Sequence, residues 1–234
     1  MFARQARYTL VLVGLLAAAA PAWAQQQGYY ERDGAFRLRM GLFTPDGESE
    51  YWTGKELEFT GEAADLENIV VGTDYLLTLS PWTGVLFSGS FFEGDTTQSY
   101  IGFEDNFGDR IRHDTTLDLG TFTAAFVFQL AGEEVPIRPY LGFGGGLYVW
   151  RLEESGDFID LDTLEIFDAT LESDGAVLGY FGVAGVEVPL GRSFSLLAEG
   201  RWHQAEDELS GDFEDFGTID LSGLEITAGL SWSM

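Results

Sequence analysis

Glu199, Arg201 and His203 place an acid, a guanidinium and an imidazole at every second position of one short segment. In an extended chain that spacing puts all three on one face. There they can pair with one another, pass a proton or, if open to water, guide an ion. Arg37 and Arg39 repeat the two-residue spacing near the start of the chain, and Glu187 adds an acid before the tight turn at 189–192. The other histidine, His113, stands beside Asp114, with Ser99 in the preceding stretch. A serine, a histidine and an acid could carry out acyl transfer. No G-x-S-x-G elbow supports that chemistry, so no catalytic residue is expected. The acidic runs at 152–175 and 204–220 are dense in carboxylates that could attract Ca²⁺ or Mg²⁺. Neither run has the spacing of an EF-hand loop, so no specific metal site is expected. The glycines Gly142, Gly144, Gly145 and Gly146 in "RPYLGFGGGLYVW" do not complete a dinucleotide fingerprint, because Leu147 stands where the third glycine is needed. No cofactor is expected.

The elements that must position these residues are strands. Leu224, Ile226, Ala228, Leu230, Trp232 and Met234 alternate with Glu225, Thr227, Gly229, Ser231 and Ser233. Phe36, Leu38, Met40 and Leu42 alternate with Arg37, Arg39 and Gly41, and 194–203 behaves in the same way. Five further segments, about 68–79, 84–92, 115–130, 137–151 and 176–188, bring the count to eight. In the fourth segment the apolar phase changes between Leu119 and Phe122, which predicts a β-bulge near Gly120-Thr121.

Tight turns at 80–83, 131–136 and 189–192 alternate with long acidic stretches at about 45–67, 93–114, 152–175 and 204–220. That alternation predicts an all-β fold: an eight-stranded, antiparallel, up-and-down transmembrane β-barrel with four long acidic outer loops. A soluble barrel would turn its apolar face inward and its charges outward. Here one face is almost free of charge, as lipid contact requires, and the other mixes glycine with Arg37, Arg39, Glu187, Glu199, Arg201 and His203. Those six are expected to meet in the lumen as paired charges, since bare charges in a dry interior are costly. Gly142, Gly144 and Gly146 are expected to form a lumen wall that leaves room for large residues opposite. Trp82 and Trp232 suit an aromatic girdle. The segment "YWTGKELEFTG" could add strands to make ten. Phe158, Ile159, Phe167, Phe213, Phe216, Tyr51 and Trp52 could either cap the barrel or contact a partner.

Residues 1–24 have the layout of a secretory signal peptide, with Arg4 and Arg7 ahead of an apolar run and Ala22-Trp23-Ala24 at its end. A short lead over 25–34 and the barrel over 35–234 complete the expected division. The formal net charge is −27, and a field of that sign repels polyanions, so nucleic acid is excluded as a partner. The chain has no cysteine, and disulfides cannot hold it together.

"RPYLGFGGGLY", "GVEVPLGR" and "LEITAGLSWSM" resemble the mid-chain, penultimate and closing strands of the small outer-membrane β-barrel proteins of the OmpA, OmpX and OmpW type. Chains of that family usually end in an aromatic residue. This one ends Trp232-Ser233-Met234, which leaves Trp232 to carry the terminal insertion signal. The resemblance implies a bacterial outer membrane, with its lipids and the barrel assembly machinery as partners, while the acidic loops by their own charge are expected to accumulate divalent cations weakly. It implies no substrate. The expected role is structural or surface-interacting and not enzymatic, with a narrow pore or small-molecule carrier as the alternative.

Overall fold

The computed structural model describes residues 34–105, 107–132, 135–160, 163–191 and 193–234. The signal peptide and most of the lead lie outside the described residues. Seven strands follow in order: β1 (Gly34–Pro45), β2 (Asn68–Ser80), β3 (Thr83–Glu104), β4 (Arg110–Gln129), β5 (Arg138–Ile159), β6 (Ile166–Pro189) and β7 (Phe194–Gln204). Two three-residue strands, β8 (Glu206–Glu208) and β9 (Thr218–Asp220), pair only with each other, and β10 (Gly223–Ser233) ends the fold. The helix α1 (Glu50–Glu58) and a 3₁₀ turn (Ala63–Leu66) lie between β1 and β2. The wall runs β1-β10-β7-β6-β5-β4-β3-β2, antiparallel throughout, and β1 pairs both β2 and β10.

Alternation decides which face is which. Along β1, Arg37, Arg39 and Phe43 are buried while Phe36, Leu38, Met40 and Leu42 are exposed. Along β10, Glu225, Thr227 and Ser231 are buried while Leu224, Ile226, Leu230 and Trp232 are exposed. Polar residues inside and apolar residues outside is the reverse of a soluble barrel, and it gives every strand a lipid-compatible face. Leu224 to Trp232 covers about 26 Å along the strand at roughly 3.3 Å per residue. Trp82, Phe194 and Trp232 are exposed at the short-turn end of this band, and Trp232 stacks on Phe194 at 6.1 Å. Tyr180 and Trp202 pack edge to face and exposed at its other end.

The wall is uneven in height. β7 and β10 have 11 residues each, whereas β5 has 22 and β6 has 24. β6 leaves β7 at the Tyr180–Gln204 pair but stays with β5 up to Ile166–Ile159. The stretches at 93–114 and 152–175, expected as loops, therefore continue as β3–β4 and β5–β6 hairpins almost to their tips. Charged side chains pair along them, among them Arg151, which meets Glu153 of its own strand at 3.2 Å and Glu172 across the β5–β6 pair at 2.7 Å.

Two expectations need correction. The pairing of β4 with β5 runs unbroken from His113–Gly156 to Gln129–Tyr140, and its pairing with β3 is equally continuous through Gly120. There is thus no bulge at Gly120-Thr121. Leu117 and Leu119 share the inward phase of Thr121 and Thr123. They are apolar because the interior itself becomes apolar above the lipid band. The segment "YWTGKELEFTG" forms α1 and its C-cap, not strands, so the wall has eight strands.

Candidate functional site

The interior is stacked in layers. At the short-turn end lie Ala35, Leu76, Leu86, Ala125, Val127, Tyr140, Phe181 and Val183. A cleft of about 80 Å³ opens there and reaches Arg138 and Glu187. Above that layer is the charged one, and the sequence-predicted residues converge in it. Arg37 pairs with Glu187 at 3.1 Å and with Glu199 at 3.6 Å. Arg201 pairs with Glu199 at 2.7 Å and with Asp74 at 2.9 Å, and donates to Ser88 at 3.2 Å. Arg39 pairs with Asp74 at 3.2 Å and also with Glu225. His203 lies 3.3 Å from Glu225, shares a hydrogen bond with the Tyr148 hydroxyl at 2.9 Å and stacks on Phe181. The Tyr140 hydroxyl donates to Glu199, and Arg37 lies over the Tyr140 ring at 5.1 Å. All six predicted residues are buried.

Asp74 and Glu225 were missed, although each is an acid on the inward phase of its strand and the phase alone could have flagged it. The glycine stripe needs a different reason from the one expected. A Cβ on Gly144 would lie 2.0 Å from the Ala124 carbonyl oxygen, and one on Gly146 would lie 2.1 Å from that of Phe122. The space is taken by the backbone of the neighbouring strand β4 and not by large residues across the lumen.

A second layer closes the outer end. Phe43, Val70, Phe92, Leu117, Leu119, Tyr148, Trp150 and Leu152 from the wall meet Tyr51 and Trp52 of α1 and Leu209, Phe213, Ile219 and Leu221 of the segment between β7 and β10. Of the aromatics left open by sequence, Tyr51, Trp52, Phe158 and Phe213 are buried in this cap or beside it, whereas Phe167 and Phe216 are exposed. Trp52 donates its indole N–H to the Asp220 carbonyl at 3.2 Å.

Beside the cap sits a polar cluster that the sequence did not reveal. Lys55 of α1 reaches inward and its ammonium meets His113 Nε2 at 3.2 Å, Thr115 Oγ1 at 2.9 Å and the Glu154 carboxylate. The Tyr51 hydroxyl donates to the same carboxylate, and Thr115 donates to Gln98 at 3.3 Å. Lys55 also lies 5.5 Å from the Tyr51 ring centre and 5.3 Å from that of Phe59. His113 is sandwiched, stacked on Phe158 at 5.2 Å and meeting Phe59 edge-on at 4.5 Å.

The serine, histidine and acid considered for acyl transfer do not converge. Asp114 points to the opposite face, where Thr97 donates to it at 2.6 Å, and Ser99 pairs with Arg112 in the ladder. Among the described residues no three His, Asp or Glu side chains gather in a form that could hold a metal ion.

No protein-family model and no curated protein matches the chain. Among solved structures, the outer membrane protein OprG from Pseudomonas aeruginosa aligns with a TM-score of 0.52 at 12% identity, over 86% of this chain and 96% of that one. The fold is that of a small outer-membrane β-barrel. Neisserial surface protein A aligns over 86% of this chain and 97% of its own, at 12% identity and a TM-score of 0.49.

Within this outer-membrane barrel fold, the Lys55 cluster sets a pH limit on the cap. Burial, joined by the Lys55 ammonium, pushes the His113 imidazole down to about 4 against the opposing pull of Glu154 and Asp114. Burial also lowers Lys55, with Glu154 acting against it, and raises Tyr51, with Glu154 adding to the rise. His113 titrates below its ordinary value, so the docked cap holds it neutral while an undocked cap would let it charge. The contribution of His113 to docking is therefore complete above about pH 6.5 and is lost as pH falls from there through about 4. Quenching of Trp52 fluorescence by a soluble quencher, with Trp52→Phe as the blank, should rise over that window. In His113→Gln the rise should flatten.

Proposed function

We propose that the chain is a bacterial outer-membrane protein whose barrel is a closed anchor and whose work is done at its outer surface. The carrying observation is the filled lumen: a layer of three arginines and their carboxylates, with an apolar layer on each side of it. An eight-stranded barrel is just wide enough for side chains to fill, and these do so with charges paired to one another.

The outer face supports the second half of the reading. Directly above the last apolar row, Phe91–Gly120–Val149–Ala176, the four tall strands carry the row Glu93–Asp118–Arg151–Asp174. Above it comes Asp95–Thr116–Glu153–Glu172. Carboxylates at the height of lipid headgroups favour a loose accumulation of divalent cations between the protein and lipid phosphates. The lipids of the outer leaflet, with those cations, are the first partners we assign, and the barrel assembly machinery is the partner for insertion. A non-enzymatic role fits the separation of His113, Asp114 and Ser99.

Planar bilayer recordings test the closed lumen. Purified protein should give no stable unitary conductance at 100 mV-scale potentials, and a reproducible open level would move the assignment to a narrow pore or carrier.

A further inference from the structure

The strongest unexplained feature is the pocket that Lys55 fills. Its ammonium is held by three acceptors from the barrel wall and lies near two aromatic rings. Lys55 is 7% exposed, Glu154 4%, His113 1% and Thr115 0%. Burying such a pair adds little net stability, because desolvation of both ions offsets their attraction. An apolar pair at positions 55 and 154 would dock α1 against the same wall without that cost. The wall residues Gln98, His113, Thr115 and Glu154 are arranged for an ammonium, not for packing.

Nε2 of His113 accepts from Lys55, as it would from the N–H of any ammonium. The segment that carries Lys55 is also bracketed by two glycines in the left-handed region, Gly47 at φ +76° and Gly61 at φ +107°. These are positions that can absorb a change in backbone direction.

We propose that the outer chamber is a binding site for the head of a primary alkylammonium compound, and that Lys55 occupies it as a built-in ligand. An external amine displaces Lys55 and lifts α1 from the mouth of the barrel. Glu154 supplies the charge, Thr115 and His113 accept the remaining N–H groups, and Phe158 walls the chamber behind His113. Exposure of this chamber to solutes outside the cell rests on the outer-surface reading above. The site itself can be tested in detergent, where its failure would leave that reading untouched.

The chain has no cysteine, so Glu56→Cys on the exposed side of α1 gives a single position for a spin label. With Lys55 intact, 1,4-diaminobutane should mobilise the label in a saturable way. The tethered lysine competes at an effective concentration on the order of millimolar or higher, so the titration should run to about 100 times that level. Tetramethylammonium, which has the charge but no N–H donor, should leave the label immobile, and Glu154→Gln should abolish the diamine response. In a Lys55→Ala background the label should start mobile and be immobilised by n-butylammonium. An unmoved label in the Lys55 protein, or an equal response to tetramethylammonium, overturns the proposal. The Lys55 arm decides the question even if Lys55→Ala does not fold.

Discussion

Arg201→Leu should destabilise the barrel by about 3–5 kcal/mol, the cost typical of removing one partner from a buried ion pair. Arg201 holds Glu199 at 2.7 Å and Asp74 at 2.9 Å, and both carboxylates are fully buried. Leucine replaces the volume but leaves two acids facing one another, with only Arg37 and Arg39 to share between them. The measurement is urea unfolding in lipid vesicles, followed by the heat-dependent shift in gel mobility. Adding Asp74→Asn to Arg201→Leu should recover part of the loss, because the second change removes the charge left stranded by the first. A single variant as stable as the parent would mean that water already reaches this layer, and the closed-lumen reading would fail with it.

Gly144→Val should be at least as damaging. A Cβ at that position would stand 2.0 Å from the Ala124 carbonyl oxygen and 2.5 Å from the Ala125 Cα, both on the backbone of β4. Backbone atoms in a paired ladder cannot step aside, so β5 must part from β4 in the middle of the wall. The expected loss exceeds about 4 kcal/mol and should show as absence of the fast-migrating folded band. Gly182→Ala is the control: nothing lies within 4 Å of its Cβ, and its effect should stay within about 0.5 kcal/mol. Equal behaviour of the two variants would refute the close approach of β4 and β5.

The contrast between these two glycines shows what a single sequence can and cannot disclose. The wall strands were legible because β-structure has a period of two and one face had to be free of charge. The same period put Arg37, Arg39, Glu187, Glu199, Arg201 and His203 on the inward phase without revealing who pairs with whom. Partners such as Arg37 and Glu187 are 150 residues apart, and only the closing of the ring brings them together. The reason for Gly144 was hidden for the same cause, since the obstructing carbonyl belongs to another strand.

Other misreadings came from assuming one environment along the whole lumen. Leu117 and Leu119 look like a change of phase as long as the inward face is polar throughout, whereas the interior turns apolar beneath the cap. Lys55 was invisible for a local reason. Its neighbours Glu56, Leu57 and Glu58 make the segment look like an ordinary charged loop, and nothing in the chain announces that one lysine in it turns inward.

The pairing of β1 with β10 joins the two ends of the described chain, with Ala35 opposite Ser233. Contacts so distant in sequence form late in folding, after local hairpins such as β3–β4 and β5–β6, because the whole intervening loop must be closed first. Until that seam zips, Arg39 on β1 and Glu225 on β10 remain separate and hydrated. The ion pair that crosses the seam thus becomes the final act of assembly, and the last strand to dock is the one that drives water from those charges.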